Sequence, residues 1–181
     1  MNRQAYATDL SDVSWELLAP LIPPEQRGGR HRSVAMREVL NAIFYVLRSG
    51  CAWRLVPHDF PAWQTVYGYF NYWRKSGLWE QLNAALRETV REQEERAAEP
   101  TAAILDSQSV KTTAVAGERG YDGAKLVTGR KRHILVDVLG LLLKVVVTTA
   151  NVPEREGAKQ LLAAALTQGF AELALIWADA G

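Results

Sequence analysis

The sequence contains a single cysteine, Cys51, so it cannot form a disulfide bond within the chain. Long hydrophobic runs are missing as well. The most apolar stretch, residues 139–147, is much shorter than a membrane-spanning helix and contains Lys144. The first residues lack the apolar segment of a secretory signal peptide. These absences exclude a disulfide-stapled protein and a membrane-spanning one, and we expect the chain to work in the reducing cytoplasm.

The sequence also lacks an excess of charge of one sign. Its formal net charge is +1, from 21 basic and 20 acidic residues. Because the chain as a whole is not a polycation, any affinity for nucleic-acid phosphates must come from local clusters. Two stretches, residues 27–37 and 119–133, are rich in Arg and Lys and poor in carboxylates. Solvated loops are the alternative explanation, but we expect phosphate contacts from Arg27, Arg30, Arg32, Arg37, Lys125, Arg130, Lys131, Arg132 and His133, together with Lys111.

The composition is that of a globular protein with two dissimilar halves. Of the 181 residues, 48% are hydrophobic and 23% are charged. Nearly all tryptophans lie before residue 100, whereas Val, Leu, Ala and Ile dominate afterwards. The stretch REQEERAAEPTAA, residues 91–103, joins a run of charge to Pro100, which is typical of a fraying helix end and a linker. We therefore predict two domains, residues 1–97 and residues 98–181.

The first half has the three- and four-residue spacing of apolar side chains that is typical of amphipathic helices. Ser11 or Asp12 can cap a first helix, which ends in a stretch rich in proline and glycine. Glycines at positions 50 and 77 are expected to end two further helices. The predicted bundle thus has a short helix near Trp15 and longer helices at residues 33–50, 62–75 and 78–95.

The second half changes to the pattern of strands. Residues 102–110 predict one strand, and residues 132–150 predict a hairpin around Gly140. A helix closed by Gly169 and a last strand at residues 172–179 follow. After a helical crossover, the last strand can lie parallel beside the first. The predicted fold class is therefore α+β or α/β, with a helical N-terminal bundle followed by a mixed sheet.

Two aspartates follow apolar runs in this predicted sheet. Asp106 comes after Ile104 and Leu105, and Asp179 comes after the last strand. If the two strands are parallel neighbours, strand spacing brings both carboxylates close together, and such a pair suits Mg²⁺ or Mn²⁺. Two divalent ions can clamp the oxygens of a phosphodiester. The alternative is that each aspartate only caps the turn after its strand.

Several stretches resemble one known family. ILDSQSVK, GYDGAKLVTGRKRHILVD, GLLLKVVV and LIWADAG follow one another in the order and spacing seen in the DDE transposases of bacterial insertion sequences. LSDVSWELLAPLIPP and the residues after it are similar to the helical N-terminal domain of that family. The resemblance covers essentially the whole chain. It implies a helix-turn-helix-like DNA-binding domain and then a ribonuclease-H-like domain, of which residues 98–181 would form the N-terminal, incomplete part.

The resemblance also implies a site and a reaction. Asp106 and Asp179 would be the first two catalytic acids and would hold Mg²⁺ or Mn²⁺ for cleavage and strand transfer of DNA. The third acid, a Glu on a later helix, has no counterpart before Gly181, so enzymatic activity of this chain is left open. The alternative is a catalytically inactive DNA-binding remnant or regulator. The implied partners are double-stranded DNA at element ends and target, and further copies of the chain, at the nucleoid in the cytoplasm.

The aromatic residues of the first half could indicate base stacking or core packing. Trp63, Tyr67 and Phe70 step by four and three along one predicted helix, which favours packing. The opposite face of that helix carries Arg74 and Lys75. We expect these two residues to contact DNA if the bundle acts like a helix-turn-helix.

A phosphatase with Asp106 as its nucleophile is a further alternative. That chemistry needs a second aspartate two positions on, where the sequence has Gln108. No glycine-rich phosphate loop follows any predicted strand. The phosphatase interpretation is therefore disfavoured.

Overall fold

The computed structural model describes residues 3–25, 31–112, 117–167, 169–170 and 172–178. The chain divides into two compact units, Met1–Leu82 and Asn83–Gly181. This division falls inside helix α4 (Leu78–Gln93), upstream of the boundary expected at residues 97–98. The second half of α4 belongs with the sheet because its side chains bond there. Arg91 pairs with Asp137, and Arg87 donates to the carbonyl of Leu142 at 3.3 Å.

The first unit is helical, and its helices begin and end close to the predicted positions. Ser11 caps α1 by accepting a hydrogen bond from the Ser14 N–H at 3.1 Å. Gly50 and Gly77 end α2 and α3 in the left-handed conformation, with φ of 68° and 76°. Only glycine adopts that conformation without strain. The helices are α1 (Asp12–Leu18), α2 (Met36–Ser49), α3 (Trp63–Ser76) and the first residues of α4, with short 3-10 turns at Ala19–Leu21 and Trp53–Leu55.

The core of the first unit forms around α2 and α3. Leu40 and Ile43 of α2 are fully buried, as is Val66 of α3. The ring of Trp53 contacts Tyr67 and Phe70, at centroid distances of 5.4 and 5.0 Å. The predicted aromatic stripe therefore packs, although the innermost side chains of α3 are Val66 and Trp73, and Tyr67 is 42% exposed.

The second unit contains a mixed five-stranded sheet, so the observed fold class is α+β. Its central strand β1 pairs antiparallel with β3, which also pairs antiparallel with β2 and β4. The hairpin of β3 and β4 and the helix after it were predicted, whereas β2 was missed because it is only three residues long. The elements are β1 (Ala102–Lys111), β2 (Gly120–Asp122), β3 (Val127–Asp137), β4 (Leu142–Thr149), α5 (Glu154–Thr167) and β5 (Leu175–Ala178).

Strand β5 lies parallel beside β1, as the sequence predicts. The pairing runs from Ala102 with Leu175 to Leu105 with Ala178. A parallel pair needs a crossover connection, and α5 supplies it. The carboxyl ends of β1 and β5 therefore point in the same direction.

Side chains alternate between the two faces of this sheet, and α5 packs on one of them. The core on that face consists of Ala103, Leu135, Leu143, Leu161 and Ala165. On the opposite face, Ile104, Val147 and Trp177 keep 41%, 55% and 48% of their surface exposed. Strand geometry fixes which residues share a face, since the period is two.

Within the described part of the chain, no helix is both long and apolar enough to cross a bilayer.

Candidate DNA-processing site on the central strand

Asp106 lies on the central strand β1, one position after the last residue that pairs with β5. Its carboxylate is exposed and accepts a hydrogen bond from the Ser107 N–H at 2.6 Å. Leu105, which precedes Asp106, pairs with Ala178, which precedes Asp179 in the sequence. Asp179 itself lies outside the described residues. The observed register ends at the pair of Leu105 and Ala178, immediately before Asp106 on β1.

Next to Asp106, three polar side chains meet at one carboxylate oxygen. Glu154, in the first turn of α5, accepts hydrogen bonds through Oε1 from Ser107 Oγ and from Lys125 Nζ, each at 2.9 Å. The hydrogen bonds from Lys125 and Ser107 lower the pKa of Glu154. The bond to Glu154 raises the pKa of Lys125, to which the charges of Asp122 and Asp106 add. Both side chains are therefore charged at neutral pH.

A second carboxylate, Asp122, fixes the turn that carries Lys125. It accepts hydrogen bonds from Ser109 Oγ at 2.7 Å and from the N–H groups of Ala124 and Lys125 at 3.1 and 3.2 Å. It also pairs with the buried Lys131 at 3.2 Å. The bond from Ser109 and the N–H of Lys125, followed by Lys131, hold the pKa of Asp122 well below its usual range. The turn between β2 and β3 is thereby tied to β1 and β3.

Lys131 also anchors the start of α5. Its ammonium donates to the carbonyl of Val152 at 3.1 Å, just before the helix that carries Glu154. One buried cation therefore links the turn of Lys125 with the start of α5. The sequence predicts neither contact of Lys131, because Asp122 precedes β3 in the chain and Val152 follows β4.

His133 is fully buried between β3 and α5. Its Nε2 lies 3.1 Å from Thr148 Oγ1, and its Nδ1 is buried with no hydrogen-bond partner among the described residues. Burial lowers the pKa of His133, and the positive charge of Lys131 lowers it further. The imidazole is therefore neutral in the folded protein at neutral pH.

This burial predicts a loss of stability in mild acid. In the unfolded chain His133 titrates near its ordinary pKa of about 6.5, whereas the folded pKa is lower. As pH falls below about 6.5, the unfolded state binds a proton that the folded state excludes, so the free energy of unfolding decreases. Urea denaturation between neutral pH and mild acid will measure the slope. His133→Gln should reduce this slope, while His58→Gln, at an exposed position, is the control. An equal slope in the unmodified protein and both variants would show that His133 does not cause the loss.

The strand period divides the basic cluster around β3 into two sets. Lys131 and His133 face α5 and are 4% and 0% exposed, so neither side chain can reach a phosphate in this structure. This corrects their expected role. Arg130 and Arg132 point to the opposite face, where Arg132 is exposed and Arg130 donates to the carbonyl of Glu118 at 3.1 Å. Their register partners on β1 are Val110 and Gln108, two residues apart on the face that also carries Asp106.

The other cations that we expect to contact phosphates differ in exposure and in their bonds to the protein. Lys111 and Lys125 are exposed in the second unit, and Arg74 and Lys75 are exposed on the last turn of α3. Arg32 donates to the carbonyls of Pro23 and Pro24. Arg37 pairs with Asp12 and donates to the carbonyl of Leu10, each at 2.7 Å. Arg27 and Arg30 lie outside the described residues.

The α2–α3 connection also differs from a compact helix-turn-helix. It runs from Gly50 to Ala62 and contains the 3-10 turn Trp53–Leu55, whereas such motifs use a turn of about 3–4 residues. Within the described ranges, no three His, Cys, Asp or Glu side chains converge on one point. Ser107 and Asp122 were missed from the sequence, since a single serine or aspartate in a strand carries no signal of its long-range partners.

Comparison with known proteins agrees with this architecture. Residues 97–181, which include the whole sheet, match the family model described as "Transposase DDE domain". Residues 10–83, which include α1, α2 and α3, match the one described as "Putative transposase of IS4/5 family". The two matches follow the order of the two units. The chain belongs to the DDE transposases of insertion sequences.

One similar protein comes from an insertion element. The "Insertion element IS402 uncharacterized 16.2 kDa protein" of Burkholderia cepacia is 27% identical over 118 residues, which cover 61% of this chain and 78% of that protein. No solved structure matches the chain. The two family models therefore carry the assignment.

Proposed function

We propose that this protein binds the ends of an insertion element and that its second unit is the first part of a ribonuclease-H-like domain for DNA cleavage and strand transfer. The supporting observation is the mixed sheet, in which β1 lies between antiparallel β3 and parallel β5. In this arrangement Asp106 lies just beyond the last residue of β1 that pairs with β5. Both matching families are transposases, which does not favour a purely regulatory role.

DDE transposase domains work with divalent metal ions, and the residues of this chain fit such an ion. Asp106 offers exposed carboxylate oxygens, the ligands that Mg²⁺ and Mn²⁺ prefer, and forms no ion pair among the described residues. We propose Asp106 and Asp179 as its two ligands from this chain. When bound, the metal would stabilise negative charge on the phosphodiester oxygens. The contribution of the protein is to hold the carboxylate of Asp106 on the central strand.

The charged face around Asp106 is suited to a DNA backbone. Arg132 is exposed on this face, and Arg130, two residues earlier on β3, shares the face. Lys111 is exposed at the end of β1. We propose that these cations and Lys125 contact phosphates, whereas Arg74 and Lys75 do so from the first unit. Lys131 and His133 would act indirectly, because they hold the underlying structure and are buried.

Metal titration tests the central part of this proposal. We expect Asp106→Asn and Asp179→Asn each to weaken Mg²⁺ or Mn²⁺ binding by about tenfold or more, since even changes outside the ligand shell commonly cost that much. Isothermal titration calorimetry with the full chain is the measurement. Glu92→Gln, an exposed carboxylate at the end of α4, is the matched control and should bind as the unmodified protein does. Unchanged affinity in both aspartate variants would reject the site.

A further inference from the structure

The ion pair of Lys125 and Glu154 is exposed, and Ser107, the residue after Asp106, donates to the same carboxylate oxygen. The side chains are 43% and 48% exposed, and their charged atoms are 2.9 Å apart. Exposed ion pairs contribute little to stability, because water screens them and both side chains lose freedom. Opening this pair therefore costs little.

The two partners are not equally free to move. Glu154 keeps a second bond, from Ser107 Oγ, to the same oxygen. The backbone of Lys125 is fixed by Asp122, but its long side chain has no other hydrogen bond among the described residues. When the pair opens, the ammonium is the group that moves, whereas the carboxylate stays with Ser107.

We propose that the Lys125–Glu154 pair is an electrostatic latch that a DNA phosphate opens by taking over the ammonium of Lys125. This inference rests on the proposed DNA binding. A phosphate of the backbone offers Lys125 an anion and releases condensed counterions into solution, which Glu154 cannot do. Glu154 thus competes with DNA for Lys125 and lowers the affinity for DNA whenever the pair is closed.

The position of the latch favours DNA as the competitor. Ser107, which bonds Glu154, directly follows Asp106 on β1. A phosphate bound by Lys125 would therefore lie at the part of the strand that carries the carboxylate we propose as a metal ligand. On the same helix, Lys159 pairs with Glu156 at 3.2 Å and is 63% exposed. That pair has the same chemistry but only links neighbouring turns of α5, so it serves as the control.

The test is a double-mutant cycle in DNA affinity. The full chain is titrated with a short duplex of arbitrary sequence over a series of salt concentrations. Lys125→Ala should reduce the slope of log affinity against log salt by about 0.9, the value for one phosphate contact. Lys125→Gln keeps the side-chain length and should act alike. Glu154→Gln, which retains an acceptor for Ser107, should raise affinity about two- to fivefold, in line with the modest strength of exposed pairs.

The decisive result is the coupling between the two residues. With Lys125→Ala present, the gain from Glu154→Gln should fall to the smaller gain that Glu156→Gln causes by removing one negative charge. An equal gain from Glu154→Gln with and without Lys125, or an unchanged slope in Lys125→Ala, would overturn the latch while DNA binding stands. Failure of the unmodified chain to bind the duplex would instead overturn the proposed function. Far-UV circular dichroism checks that each variant is folded.

Discussion

Asp137→Asn is expected to destabilise the second unit by about 3–5 kcal/mol, the usual cost of breaking a buried ion pair by removing one partner. Asp137 is fully buried at the end of β3 and pairs with Arg91 of α4, which is 4% exposed. Its Oδ1 also accepts from the N–H groups of Leu139 and Leu141 at 2.9 and 2.8 Å. Asparagine can keep these backbone bonds but leaves the guanidinium charge buried without a counter-charge.

Denaturation by urea, followed by far-UV circular dichroism, will measure this loss. Amide hydrogen exchange in β1 and β3 will assign it to the second unit. Arg96→Ala, an exposed arginine just after α4, should change stability by no more than about 0.5 kcal/mol. Adding Arg91→Met to Asp137→Asn should recover part of the loss, because no unpaired charge then remains buried. A loss equal to that of Arg96→Ala would show that the pair is not a stabilising contact.

This pair also lies upstream of the boundary expected at residues 97–98, in the second half of α4. The stretch around Arg91 reads as a charged, solvated helix end, since local sequence carries no sign of a partner at Asp137. In the structure Arg91 is buried and also donates to the carbonyl of Ala97 at 2.7 Å. Long-range bonds of Arg91 and Arg87 thus join the second half of α4 to the sheet.

Sequence signals predicted the structure correctly where a residue acts on its own helix or strand. The glycines that end α2 and α3 and the serine that caps α1 act within one turn of their helices. The hairpin of β3 and β4 and the parallel partner of β1 also follow from local patterns and connection lengths. The general position of Asp106 was therefore predictable from the sequence.

The basic cluster on β3 shows the limit of counting charges along the chain. Residues 130–133 are consecutive and look like one cationic patch, but alternation in a strand sends neighbours to opposite faces. Arg132 is exposed, whereas Lys131 and His133 are buried on the face that α5 covers. The sequence pattern predicts this strand only from Arg132 onward, so it does not reveal the alternation of residues 130 and 131. In the structure β3 begins at Val127, so residues 130–133 all lie within the strand and alternate between its two faces.

Gly157→Ala is the second substitution with a large expected effect, and its sign is opposite to the usual one. Alanine in place of glycine inside a helix normally stabilises by about 1 kcal/mol. At position 157 of α5, however, a methyl group would overlap the ring of His133. The ring is fully buried and lies against Thr148, so it cannot move aside freely. We therefore expect a net loss of about 1–3 kcal/mol from overpacking.

Two variants separate this overlap from a general effect on the helix. Gly68→Ala in α3, where a methyl group meets no atom within 4 Å, should stabilise the protein in urea denaturation. His133→Ala will be destabilising alone because it leaves a cavity, but in that background Gly157→Ala should become neutral or favourable, since the new methyl group fills part of the space. If Gly157→Ala is equally harmful with and without the imidazole, the close approach of α5 to β3 is not set by His133. Recovery would show that the buried histidine, rather than the backbone of α5, fixes the distance at which the helix carrying Glu154 packs on the sheet.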